Sequence, residues 1–235
     1  SLIRPTENLD HLTLPFTHDE IDSVIKEMPG DRAPGPDGFS GLFLKACWPI
    51  IKNDFYNLCN QFHAGHLDLQ SINDGLIMLI PKMGPLQLST IIVRSHFSTV
   101  ALNYHQAAGQ PLAKGHFEDY SLQQYGFIRG RSIQDCLAWT FQYIHQCQAS
   151  KRPIVLLKLD FAKAFDTIEH APMLNIMKHL GFNDKWLSWI KCIFSTGRSS
   201  VLLNGAPGHQ FHCRTGVRQG DPLSPLIFFL VVDLL

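Results

Sequence analysis

The sequence predicts a mixed α/β (α+β) fold, rich in helix, on three observations. Apolar residues recur at helical spacing inside capped stretches, as at Ile21, Val24, Ile25 and Met28. Two short apolar runs, residues 76–80 and Ile154, Val155, Leu156, Leu157 and Leu159 around Lys158, carry the signal of strands buried on both faces. Asn204-Gly205 separates two further extended stretches, the signature of a tight hairpin turn.

Bulk properties agree with a folded protein. The 235 residues are 45% hydrophobic and 17% charged, enough to bury a core and too apolar for a disordered tail. Net charge is zero, but residues 1–60 are net −4 and residues 61–235 net +4. The mildly basic remainder suits a phosphate-bearing partner without demanding one. Six scattered cysteines form no Cys-x-x-Cys pair and no finger spacing with the histidines, so reduced, mostly buried thiols are expected. The first residues lack a signal-peptide pattern, and the last apolar run is too short to cross a bilayer. An intracellular protein, nuclear or cytoplasmic, is expected, with no membrane partner and no sign of an oligomer.

In chain order, residues 17–28 form the first predicted helix, opened by a capping box of Thr17 and Glu20 and closed by Pro29-Gly30. A proline- and glycine-rich loop at 33–38 leads to a second helix, residues 41 to about 62. Its apolar positions are Phe43, Leu44, Cys47, Trp48, Ile51, Phe55, Leu58 and Phe62, and Pro49 is expected to break or kink it. The strand at 76–80 follows. Residues 86–123 show no strong period of either kind. Ser132 caps a helix to about Cys147, with Ile133, Cys136, Leu137, Phe141 and Ile144 as its core face. Beyond the central run, a helix starts near His170 with Pro172 in its first turn; Met173, Ile176, Met177 and Leu180 face the core and Gly181 caps it. Another begins at Asp184, with Trp186, Trp189, Ile190 and Ile193 inward. Strands at 200–203 and 210–214 flank the Asn204-Gly205 connection, and the segment after residue 226 is a final helix.

The central run ends at Asp160. A carboxylate buried there without a proton, cation or donors would cost roughly several kcal/mol. It therefore caps the next turn, the commoner use of an Asp after a strand, or it holds a cation. Its neighbours decide how to read it. Asp160-Phe161-Ala162-Lys163-Ala164-Phe165-Asp166 is followed by Gly216-Val217-Arg218-Gln219-Gly220-Asp221-Pro222-Leu223-Ser224-Pro225. Upstream stand Ala33-Pro34-Gly35-Pro36-Asp37-Gly38-Phe39, Leu79-Ile80-Pro81-Lys82 and Tyr125-Gly126-Phe127-Ile128-Arg129-Gly130-Arg131. These five blocks, in this order and over nearly the whole chain, resemble the reverse transcriptase domain of non-LTR (LINE-type) retrotransposons, the plant kind in particular. Group II intron maturases share the polymerase core but match the third and fourth blocks less well.

The resemblance implies a right-hand polymerase: a fingers-like region over residues 1–150, degenerate at 86–123, and a partial palm over 151–235, with the thumb absent. It implies RNA-directed DNA synthesis by two-metal nucleotidyl transfer, with Mg²⁺ or Mn²⁺ as cofactor. Asp160 is the implied catalytic metal ligand, joined by the backbone carbonyl of Phe161. Phe165 is the implied gate beneath the deoxyribose, although ordinary core packing would also explain it. Lys82 and Arg94 would contact the triphosphate of the incoming dNTP, and Gln219-Gly220 the nascent base pair. Arg129, Arg131 and Arg218 would approach the RNA template and DNA primer, although loop arginines are more often simply solvated. Asp166 belongs to the turn and is not counted as a second catalytic carboxylate.

At 94–98 the chain has Arg94-Ser95-His96-Phe97-Ser98 where the family has Arg-Pro-Ile-Ser-Leu, so only the arginine matches. The family's second catalytic block, Tyr/Phe-Ala-Asp-Asp, does not occur in these residues. The chain thus reads as truncated before it, with residues 226–235 expected to be left uncovered. The alternative reading is a catalytically dead remnant, at most a nucleic-acid-binding module. An unrelated α/β enzyme using Asp160 as nucleophile would need a paired acid or base that the sequence does not offer.

Overall fold

The computed structural model describes residues 9–30, 38–80, 92–97, 125–126, 131–218 and 223–232. Helix α1 (His18–Glu27) opens as predicted. The Thr17 hydroxyl accepts from the Glu20 amide at 3.3 Å, and the Glu20 carboxylate accepts from the Thr17 amide at 3.0 Å. Ile21, Val24, Ile25 and Met28 are all buried. Helix α2 (Gly41–His63), capped by Ser40, runs through Pro49 without ending there. The proline forfeits one backbone bond, but Leu44, Tyr56, Cys59 and Phe62 are buried on both sides of it, and that packing holds the helix together.

Asp22 locks α1 to α2: its carboxylate accepts from the Trp48 indole at 3.0 Å and from the Tyr56 hydroxyl at 2.6 Å. The bond to Asp22, with burial second, pushes the Tyr56 hydroxyl up to about 12, from 10 when free. A raised acid keeps its proton in the folded state after the unfolded state has lost it. Its contribution is therefore complete below pH 10 and disappears as pH rises from 10 to about 12. Tyr56→Phe is expected to be less stable than the parent at pH 7 and to lose less on going from pH 10 to 12, by urea denaturation at each pH.

The described strands form one five-stranded sheet. Strand β1 (Asp74–Ile80) is central and matches the predicted strand. On one side β2 (Ile92–Phe97) pairs antiparallel, Gly75 opposite Phe97. On the other, β3 (Arg198–Leu203) pairs parallel, Asp74 opposite Arg198. The edge of β3 carries β4 (Ala206–Pro207) and β5 (Phe211–His212). Asn204 (φ 51°) and Gly205 (φ 81°) make the predicted turn into β4. Strand β2 lies in the stretch whose sequence has no period.

The main core surrounds α5 (Asp184–Thr196), whose Trp186, Trp189, Ile190 and Ile193 are buried as predicted. Helix α4 (His170–His179) contributes Met173 and Met177, and Phe62, Leu9 and Leu12 join from the N-terminal part. This core draws side chains from both sides of residue 150. Helix α6 (Ser224–Val232) inserts Ile227 and Leu230 into it, both essentially inaccessible. The expectation that this last segment is uncovered is corrected: its inner face has α4 and α5 to pack on.

Two other expectations are corrected. Residues 154–159 form no strand and are exposed, Val155 at 94% and Leu157 at 76%. A β-forming run becomes a strand only when a neighbour supplies the ladder, and no described strand pairs with it. Helix α3 (Ile133–Ala149) starts at its predicted cap, Ser132, but Ile133, Leu137 and Phe141 are exposed, and only Cys147 is buried. Among the described residues, α3 and 154–161 therefore carry much of the exposed apolar surface, alongside positions such as Leu42 and Ile50 of α2. All six cysteines are free thiols, as expected, but only Cys59 and Cys147 are buried and the other four are partly exposed, so the expectation of mostly buried thiols is corrected.

Candidate active site

The site is assembled from the turn after Asp160. Helix α3 ends with Arg152 donating to the Cys147 carbonyl at 2.9 Å, after a left-handed Lys151. The chain then extends, exposed, to Phe161. At 162–166 it turns back, with Lys163 at φ 52° and the Asp166 amide donating to the Lys163 carbonyl at 2.8 Å. This turn docks on the strap at residues 216–218. The Gly216 amide donates to the Ile168 carbonyl at 2.7 Å and the Val217 amide to the Phe165 carbonyl at 2.8 Å. His170 Nε2 lies 2.8 Å from the Gly216 carbonyl, a bond that requires the proton on that nitrogen. Two motif blocks some fifty residues apart thus meet through their main chains.

Side chains follow from that docking. Phe165 is half-buried and stacks on Phe228 of α6, ring centroids 4.5 Å apart and planes 17° apart. Core packing is therefore part of its role. Asp160 and Phe161 are exposed at the end of the extended segment, and Asp166 is exposed in the turn. A cleft of about 470 Å³ lies beneath, between Phe161, Ile168, Met173 and Phe228. Its lining is apolar apart from Thr167 and Glu169, and Asp160 is not part of it.

Arg218 is placed differently from a solvated loop arginine. Its Nη2 donates to the Asn73 side-chain oxygen at 2.6 Å and its Nη1 to the Asn73 carbonyl at 3.2 Å. Arg131 is half-buried just before α3. Arg94 is in β2 opposite Met78, with only its backbone described. Lys82, Arg129, Gln219 and Gly220 lie outside the described residues.

The sequence reading missed Asn73 and His170. Asn73-Asp74-Gly75 reads as a turn, and nothing in its spacing points to an arginine 145 positions later. His170 looks like an ordinary first-turn residue.

The Asp160 carboxylate and the Phe161 carbonyl are hard oxygen donors on adjacent exposed residues, the donor type that Mg²⁺ accepts alongside phosphate and water. Among the described residues no three His, Cys, Asp or Glu side chains gather as a closed metal cage. The pair fits a shared site, filled out by substrate, rather than a structural one.

Residues 102–235 match the family model for reverse transcriptase (RNA-dependent DNA polymerase). The chain is 25% identical over 230 residues, 95% of its length, to the "Transposon TX1 uncharacterized 149 kDa protein" of Xenopus laevis. It is 23% identical over 226 residues, 96% of its length, to the retrovirus-related Pol polyprotein from type-1 retrotransposable element R2 of Nasonia vitripennis. Against the corresponding R2 polyprotein of Popillia japonica it is 30% identical over 236 residues, 95% of its length. It spans only 17%, 21% and 30% of those proteins, respectively. With two of its motif blocks bonded main chain to main chain and more than half its length matched, the chain belongs to the reverse transcriptase family, as a domain of the kind found in non-LTR retrotransposon Pol proteins.

Proposed function

We propose that this chain contributes the fingers (residues 1–150) and part of the palm (151–235) of an RNA-directed DNA polymerase of the plant LINE type. The family typically uses divalent metal ions and implies a nucleic-acid template and primer. The observation that carries the reading is the docking of the 162–168 turn on the 216–218 strap. It joins the turn that carries Phe165 to residues 216–218, which precede Gln219 in the chain.

On this reading Asp160 and the Phe161 carbonyl would hold one Mg²⁺ or Mn²⁺. Such an ion supplies activation of the primer 3′-hydroxyl or charge stabilisation on the leaving pyrophosphate. The chain's own residues do the rest. Phe165, fixed against Phe228, floors the sugar site and excludes a 2′-hydroxyl. Lys82 and Arg94 place cationic charge at the triphosphate. Gln219 and Gly220 lie along the nascent pair, where glycine permits close backbone approach. Arg129 and Arg131 contact the template backbone. Among the described residues no helix is long and apolar enough to cross a membrane.

Primer extension tests the proposal, with the full chain on an RNA template annealed to a DNA primer, with dNTPs and Mg²⁺. Extension, with dNTPs preferred over rNTPs, is the result that supports the reading. Phe165→Val is expected to narrow that preference by about tenfold while also costing roughly 1 kcal/mol of stability through lost packing on Phe228. A folded chain that binds template–primer without extending it would favour the non-catalytic, nucleic-acid-binding alternative. One that neither extends nor binds overturns the polymerase reading and leaves the catalytically dead remnant.

A further inference from the structure

We propose that Asn73 is a positioning residue for nucleotide binding, acting through Arg218 on the strap that leads into Gln219. The inference rests on the polymerase reading for its function and on local geometry for its mechanism. Asn73 is inaccessible to solvent, at the junction between the 3-10 turn Leu69–Ser71 and β1. Its amide nitrogen donates to the Ile193 carbonyl at 2.7 Å and the Thr196 hydroxyl at 2.9 Å, both at the end of α5. Its side-chain oxygen and main-chain carbonyl receive the two Arg218 bonds described above. The same carbonyl accepts from the Arg198 amide at 3.3 Å, which starts β3.

The orientation of this amide is dictated by its surroundings. Reversed, it would set its NH₂ against a guanidinium and its oxygen against the Ile193 carbonyl. One buried side chain thus ties three parts together: the entry of β1, the end of α5 and Arg218. A buried polar group with every bond made is worth far more than its exposed equivalent, because losing one partner strands the others.

Gly197 completes the clasp. A β-carbon there would collide with Arg218 Nη2, so the absence of a side chain leaves the guanidinium its seat. Arg218 directly precedes Gln219-Gly220 in the chain. The strap is also bonded at Gly216 and Val217, so Arg218 is its last described anchor before that segment. An arginine held this way orients the strap.

The variants separate positioning from simple support. Asn73→Ala removes both roles. Asn73→Asp keeps an acceptor for Arg218, now charge-assisted, but cannot donate to α5. Gly197→Ala displaces the guanidinium and leaves Asn73 intact. Each is measured for dNTP KM and kcat in primer extension, for amide exchange at Gly216 and Val217, and for its unfolding midpoint. Asn73→Ala and Gly197→Ala are expected to raise dNTP KM about tenfold with kcat within about threefold. Both should speed exchange at Gly216 and Val217 at least about tenfold. Asn73→Asp is expected to lower the midpoint as Asn73→Ala does, yet to keep KM and exchange near the parent. The proposal is overturned if Asn73→Asp follows Asn73→Ala in KM and exchange, or if Asn73→Ala changes neither. If the folded parent extends no primer, the polymerase reading fails by itself, and the exchange measurements still decide whether Asn73 holds the strap.

Discussion

Asp160→Ala is expected to lower primer extension by about 10³-fold or more while leaving the urea midpoint within about 0.5 kcal/mol of the parent. The two halves of that result come from one observation. Asp160 is exposed, and its side chain makes no hydrogen bond or ion pair to a described residue. A carboxylate in that position contributes almost nothing to folding. On the proposed function, its value lies in what it would offer a cation at the end of the extended segment. Asp160→Asn keeps the shape and removes the charge, so it should behave as the alanine variant does in extension and as the parent does in unfolding. Equal extension by parent and Asp160→Ala would remove Asp160 from the metal site. A large drop in stability would mean that the carboxylate is a structural cap after all.

The helices were legible because each carries its own information. The Thr17–Glu20 box, the Ser132 cap, Pro172 in the first turn and the Trp186/Trp189 face are local signals, and the structure realises them all. The Asn204-Gly205 turn is equally local. What failed depended on partners. Residues 154–159 have the composition of a buried strand, but composition cannot supply the neighbouring ladder, and the run is exposed. Helix α3 has an apolar face by spacing, yet spacing does not say what will cover it. The reverse error occurred at α6, expected bare and found with Ile227 and Leu230 buried against α4 and α5. Strand β2 was invisible because its stability comes from β1 across the ladder, not from its own pattern. The site shows the same division. The motif blocks named Asp160 and Phe165, but the contacts that join their turn to the 216–218 strap run through main-chain atoms and His170, while Asn73 anchors Arg218, and side-chain identity encodes such long-range bonds poorly.

Gly216→Ala should be the most damaging small substitution near the site. Gly216 sits at φ 78°, where a side chain costs about 1–2 kcal/mol from backbone crowding alone. A β-carbon would also fall 2.9 Å from the Asp166 α-carbon, the Asp166 carbonyl oxygen and the Phe165 carbonyl oxygen. These are main-chain atoms of the turn that Gly216 and Val217 bond, so none can swing aside as a side-chain tip would. Relief requires the strap to lift from the turn, at the expense of the bonds at 2.7 and 2.8 Å. A total of roughly 3 kcal/mol or more is expected by urea denaturation, together with loss of extension. Gly205→Ala is the internal control. Gly205 has nearly the same backbone, φ 81°, but open space where its β-carbon would go. It should therefore lose only the conformational part, roughly 1 kcal/mol. The difference between the two variants measures how tightly the two motif blocks are pressed together. Equal losses would mean that the Asp160 turn and the 216–218 strap are not packed as described, and the case for a shared site would go with them.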